Sequence, residues 1–153
     1  MVGYPEDLDM QVGPMISPNY FCKYIKPAYQ RIMKPARDAG CIIHMHSDGD
    51  IRTLAKDLID SGVDVINLQD LVNGIDWISD NFAGNTCIDG YRSKNITAYG
   101  TPKQVEDLIR EEVTKPGCKQ GGLMMVHDLC PGIPVENIRA LMDAMEKYSV
   151  YHS

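Results

Sequence analysis

Two short stretches of this sequence hold its densest chemistry: His46-Ser47-Asp48-Gly49-Asp50 and His127-Asp128-Leu129-Cys130. Imidazole, carboxylate and thiol side chains are the groups that move protons near neutral pH and bind metal ions. His44, His46 and Asp48 are spaced by two, so an extended backbone turns all three to one side. His46 and Asp48 stand furthest out and can share one ligand or one metal ion. The set His46, Asp48, His127 and Cys130 has the donor chemistry of a zinc site. His44 lies inside an apolar run and reads as a hydrogen-bonded interior residue. Asp50 reads more simply as a helix cap than as a catalytic acid.

Such residues need elements to hold them, and the pattern is strand then helix, repeated. Cys41 to His46 is a short apolar run entered through Gly40, which predicts a buried strand. Asp50 then caps a helix with Ile51, Leu54, Ala55, Leu58 and Ile59 on one face and Gly62 as its stop. Val63 to Asn67 is the next strand, and Ile75, Trp77, Ile78 and Phe82 mark another helix. A third strand is expected at Thr86 to Asp89. Thr101-Pro102-Lys103-Gln104 has the form of a capping box with proline at the first helical position, continued by Val105, Leu108, Ile109 and Val113. Gly122 to Val126 is a fourth strand. The last helix starts near Pro134 and is expected to bury Ile138, Leu141, Met142 and Met145. Ahead of all this, Ser17-Pro18 opens a long helix that Pro27 and Pro35 should kink. Residues 3 to 14 read as a loop leaving a strand that is barely present.

Strands separated by helices imply right-handed crossovers and a parallel sheet. Polar residues gather where those strands end: His46 to Asp50, then Asn67, Gln69 and Asp70, then Asp89, Tyr91 and Arg92, then His127, Asp128 and Cys130. In parallel α/β folds that is where active sites form. Four strands cannot close an eight-stranded barrel and would leave open edges. The chain is therefore an open sheet or part of a larger barrel, read as one domain over residues 1–153.

Composition narrows the class. The 153 residues are 44% hydrophobic and 24% charged, which suits a globular domain. A net charge of -6 argues against a nucleic-acid groove. No apolar run approaches a membrane span, and the N-terminus does not read as a signal peptide. The five cysteines, Cys22, Cys41, Cys87, Cys118 and Cys130, form no C-x-x-C pair, so a disulfide framework is not expected and a reducing cytoplasm is. Cys41 and Cys87 read as small core residues, Cys118 as a loop residue, and Met124-Met125 as core. The acidic groups Glu106-Asp107 and Glu111-Glu112 read as the solvated face of their helix. There is no glycine-rich phosphate loop.

His46 to Asp50 followed by Gly62 to Asn67 resembles the uroporphyrinogen decarboxylase superfamily. So do Gly100-Thr101-Pro102-Lys103-Gln104-Val105, Pro134-Val135-Glu136-Asn137-Ile138, and the opening Glu6-Asp7-Leu8 with Gly13-Pro14 before Ser17-Pro18. The resemblance implies an α/β fold of parallel (β/α) units, the C-terminal half of a TIM-type (β/α)8 barrel. It implies two chemistries. One is decarboxylation of the acetate side chains of uroporphyrinogen without metal or cofactor, with a histidine that falls on His127 and a serine position that falls on Asp7. His46, Asp48 and Asp89 would then bind substrate. The other is zinc-dependent methyl transfer between a corrinoid protein and a thiol, in which zinc sits on His-x-Cys and a later cysteine. Here the first element reads His46-Ser47-Asp48, and the later ligand falls near His127 or Cys130. The implied partners are a tetrapyrrole or corrinoid-type substrate and either a missing N-terminal half or a second copy of the chain, with no nucleic acid and no membrane. As this half alone the chain is expected to be inactive.

Overall fold

A computed structural model describes residues 1–91, 94–127 and 129–152. It divides into two compact units, Met1–Asn73 and Gly74–Ser153.

The first unit is built on three parallel strands. β1 (Val2–Pro5) pairs with a strand forty residues later, and the short β2 (Asp9–Met10) and β3 (Gly13–Pro14) make an antiparallel hairpin beyond it. The segment expected to be mostly loop therefore carries three strands. Val2-Gly3-Tyr4-Pro5 is too short to show a period, and a terminal proline is tolerated at the end of an edge strand. Ser17 caps α1 (Pro18–Tyr20), its hydroxyl accepting from the Tyr20 N–H at 3.2 Å. A π turn, Phe21–Ile25, follows before α2 (Lys26–Asp38). The Lys26 N–H closes the wide turn on the Phe21 carbonyl, so the chain absorbs Pro27, which has no N–H to give, by widening the helix just ahead of it.

β4 (Ile43–Ser47) and β5 (Val65–Gln69) run parallel, with His44 opposite Val65 and His46 opposite Asn67. Both lie two residues later than the expected starts. Val63 is still used by the helix stop, its N–H reaching the Leu58 carbonyl, and Asp64 bridges to Ile43 through both backbone and side chain. Ile43, Met45, Ile66 and Leu68 are sealed from solvent, and each contributes about 1.5–3 kcal/mol by burial. Between these strands, α3 (Ala55–Ser61) starts four residues later than expected and ends at Gly62, whose φ of 110° closes the helix in the left-handed region. Asp50 does not cap it. Its carboxylate instead accepts from the Arg52 N–H and guanidinium, holding a turn before the helix. α4 (Asp70–Asn73), unforeseen because four residues show no period, completes this unit.

The second unit holds α5 (Ile75–Phe82), β6 (Cys87–Tyr91), α6 (Lys94–Tyr99), α7 (Pro102–Thr114), β7 (Leu123–Val126) and α8 (Val135–Tyr148). β6 and β7 are parallel, with Asp89 opposite Met124. The capping box forms as expected: the Thr101 hydroxyl accepts from the Gln104 N–H, and the Gln104 carboxamide accepts from the Thr101 N–H at 2.8 Å. α7 and α8 pack through Val105, Ile109, Val113, Leu141, Ala144 and Tyr148. Of the residues expected to be buried, Leu141 is, Ile138 and Met145 are half-buried and Met142 is exposed, while Tyr148 is buried. Met124 is 38% exposed rather than core, since alternation along β7 turns it away from Leu123 and Met125. α6 was not foreseen. Both units are α/β, made of parallel strands joined through helices. Among the described residues, no helix is long and apolar enough to cross a membrane.

Candidate functional site

At the end of β4 the strand alternation seals Ile43, Met45 and Ser47 and leaves His44 and His46 half-buried on the other side. His44 thus shares the side of His46 rather than the deep interior. His46 Nδ1 lies 2.6 Å from Asn67 Oδ1 on the neighbouring strand. A carboxamide oxygen only accepts, so Nδ1 carries the hydrogen and the ring is fixed in that tautomer. Nε2 then stands 3.8 Å from Asp7 Oδ1 and 3.7 Å from Asp48 Oδ1. One ligand atom from each of Asp7, His46 and Asp48 lies within 4.8 Å of the other two. Three of the expected site residues therefore meet in the first unit.

The loop that carries Asp48 is laced to the N-terminal hairpin. The Asp48 N–H donates to Asp7 Oδ1 at 3.3 Å, the Leu8 N–H to Ser47 Oγ at 3.2 Å, and the Asp50 N–H to the Met10 carbonyl at 2.9 Å. Gly49 packs so closely that an added Cβ would lie 2.6 Å from the Asp9 backbone, and its φ of 90° suits glycine alone. The Gly49 N–H donates to the Gln69 side chain, which also accepts from Gln11. Asn73 fastens the far side: its amide donates to the carbonyls of Gly49 and Gln69, and its oxygen accepts from the Ile51 N–H.

Asp9 is the site residue that sequence reasoning missed. It is 7% exposed, and neither carboxylate oxygen has a hydrogen-bond partner among the described residues. Burial, and secondarily the charge of Asp50, pushes its carboxyl up from 3.8 to about 7. Arg52 meanwhile holds Asp50 below the ordinary carboxylate range. An aspartate in a polar loop gives no sequence signal of such burial.

In the second unit, Asp89 is buried on β6. Cys87, two residues before it on the same side, has its thiol pushed up by burial and then by the Asp89 charge. His127 Nε2 lies 3.5 Å from Glu112 Oε2, and both side chains are about 5% exposed or less. Glu112 is therefore not on the solvated face expected of it, because it faces inward from α7. Cys130 is exposed, all five cysteines are free, and Cys41 and Cys87 are half-buried rather than core. Cys118 is in a loop, its thiol donating to the Gly121 carbonyl. A cavity of about 560 Å³, lined by Ile109, Val113, Leu123, Met125 and Tyr148 among others, has neither His127 nor Asp89 in its walls. Arg92 and Asp128 lie outside the described residues.

The Asn137 amide donates to the carbonyls of Thr97 and Gly100 at 3.0 and 2.8 Å. The Pro134–Ile138 and Gly100–Val105 motifs are thereby parts of one joint.

The parallel (β/α) units, with a polar cluster at a strand end, define an α/β protein of the kind that builds its sites on strand-to-helix loops. Residues 7–148 match the Uroporphyrinogen decarboxylase (URO-D) family, and the chain belongs to it. Its (β/α) units are those of a partial (β/α) barrel of that family. It is 28% identical over 140 residues to a uroporphyrinogen decarboxylase from Prochlorococcus marinus, a match that covers 87% of this chain and 36% of that protein. The chain thus spans about a third of the length of the curated relative it matches.

Of the four zinc donors expected, His46 and Asp48 lie beside Asp7 in the first unit, and His127 and Cys130 belong to the second.

Proposed function

We propose that the chain is part of a uroporphyrinogen decarboxylase-like carboxy-lyase and supplies one wall of its tetrapyrrole site. The observation that carries this reading is His46 Nε2 held between the carboxylates of Asp7 and Asp48, with Asn67 fixing the ring from behind. Removing an acetate carboxyl from a pyrrole begins with a proton added to the ring carbon next to the one that bears the arm, which leaves the positive charge on the carbon that bears it. The bond to the departing CO₂ then breaks, and its electron pair neutralises the ring cation as an exocyclic double bond. A proton on the resulting methylene makes the methyl group, and the first proton leaves to restore the aromatic ring. His46 is the proton donor of this wall, its Nε2 standing between the carboxylates of Asp7 and Asp48. His127 and Asp89 are the residues of the second unit that this reading includes. No metal or cofactor takes part.

The other walls belong to further (β/α) units, from a complementary half or from a second copy of the chain. The compartment inferred is the reducing cytoplasm, a reading supported by the five free cysteines. The test has two arms. Uroporphyrin, titrated into the protein and followed by its fluorescence, is expected to bind saturably and at least fivefold more weakly to His46→Ala. Equal binding by both proteins sinks the reading of the wall. Uroporphyrinogen incubated with the chain alone is expected to remain undecarboxylated, and turnover comparable with a full-length enzyme would overturn the claim that the chain is only part of the machinery.

A further inference from the structure

We infer that the hollow between α7, β7 and α8 binds a carboxylate with an apolar body of roughly ten carbons, its head group held by Lys119. The volume of about 560 Å³ falls within the roughly 300–1,000 Å³ of small-molecule sites. Ile109 and Val113 from α7, Leu123 and Met125 from β7, and Met145 and Tyr148 from α8 make the apolar wall. Leu123, Met125 and Met145 stay half-buried although they pack on the core that α7 and α8 share. The apolar surface they leave open lines the hollow, and covering it removes that surface from water.

The wall formed by the chain's tail is fixed in place. His152 Nε2 lies 3.0 Å from the Val113 carbonyl, which only accepts, so that nitrogen carries the hydrogen. Gly117 makes room for the ring: a Cβ there would lie 2.6 Å from His152 Nε2. Tyr151 packs edge-on against the same ring, with centroids 4.9 Å apart. On the loop side, the Cys118 thiol bonded to the Gly121 carbonyl holds the turn that carries Lys119.

Charge decides the head group. Lys119 is exposed at the rim, and among the described residues no aspartate or glutamate lines the hollow. Lys115 pairs with Asp76 and Glu111, and Lys147 with Glu106. Lys119 forms no ion pair among the described residues, in a chain whose net charge is -6. An ammonium at the mouth of an apolar hollow selects a molecule that is negative at one end and apolar along the rest. The polar rim, Cys118 to Gly121, precedes the first residue of β7, whereas His127 follows the last. An occupant therefore leaves the strand end that carries His127 untouched.

Decanoate is the probe, titrated into the full chain by calorimetry, with decanol and decylamine alongside. It is expected to bind at one site with a Kd of about 0.1–1 mM, and decylamine roughly tenfold more weakly. Lys119→Gln is expected to weaken decanoate roughly two- to fivefold, the range of one exposed ion pair, and to leave decanol unchanged. Leu123→Trp fills the hollow and is expected to abolish binding of both. A thermal melt checks its fold, and Met145→Trp fills the same space from α8. Decanoate is also expected to slow alkylation of Cys118, followed by peptide mass, and to leave the exposed Cys22 and Cys130 at their free rates. No saturation at millimolar decanoate, equal binding of decanoate and decylamine, or no protection of Cys118 overturns the proposal. So does decanoate binding that disappears as the chain self-associates, which makes the hollow a seat for a second copy. Uroporphyrin binding by Lys119→Gln is expected to match wild type, so failure here and failure of the tetrapyrrole reading are told apart.

Discussion

Asp9→Asn replaces a buried carboxyl with a neutral group of the same shape, and its effect should depend on pH in a definite direction. In the unfolded chain Asp9 titrates near 3.8, and in the fold near 7. A raised carboxyl favours the folded state most when it is protonated in both states, below about pH 4, and stability falls as pH rises toward 7. The difference of about three pH units corresponds to roughly 4 kcal/mol, at 1.36 kcal/mol each. The sign follows from the structure: both oxygens are buried without partners among the described residues, and Asp50, held low by Arg52, adds a like charge. Urea unfolding of wild type and Asp9→Asn at pH 4.5 and pH 8 is the assay. The two proteins should be close in stability at the lower pH. At the higher, the variant should be more stable by up to about 4 kcal/mol, which for a chain of this size raises Tm by roughly 10 °C. A variant equally destabilised at both values, or a wild type whose stability rises between pH 4 and 7 because of Asp9, would refute the reasoning.

Glu112→Ala removes the carboxylate beside a buried imidazole and should cost about 3–5 kcal/mol in chemical unfolding, as breaking a buried pair does. Gly49→Ala forces a Cβ onto the Asp9 backbone at a positive φ; a loss of about 2 kcal/mol or more is expected, together with weaker uroporphyrin binding. Thr101→Ala should cost about 1 kcal/mol through the lost cap and leave uroporphyrin binding unchanged.

Elements with a long period or a definite cap were the legible ones. Val105, Leu108, Ile109 and Val113 marked α7, and Thr101 with Gln104 marked its first turn. Gly62 marked the end of α3, because only a residue without Cβ turns there at low cost. What escaped was short or decided by distant contacts. β1 owes its existence to pairing with β4, and Val2–Pro5 carries no signal of that partner. Asp50 has the residue type of a helix cap, but Arg52, two positions on, takes both of its oxygens. At the site, the two-residue spacing of His46 and Asp48 was readable as a shared side, and Asp7 entered only through the family resemblance. The burial of Asp9 and the inward turn of Glu112 depend on what packs over them, and neighbours far along the chain leave no local pattern.

The lacing of residues 7–11 to residues 47–50 and Gln69 bears on how this part of the molecule opens. Leu8 to Ser47, Asp48 to Asp7, Asp50 to Met10 and Gln11 to Gln69 are separate bonds, yet the hairpin cannot lift without breaking all of them. Local opening is therefore cooperative, and the amides of Leu8, Asp48 and Asp50 should exchange with deuterium at one common rate. Whatever enters between Asp7 and Asp48 closes the same clasp from inside. An occupant of the site is read out as slower exchange at amides it never touches.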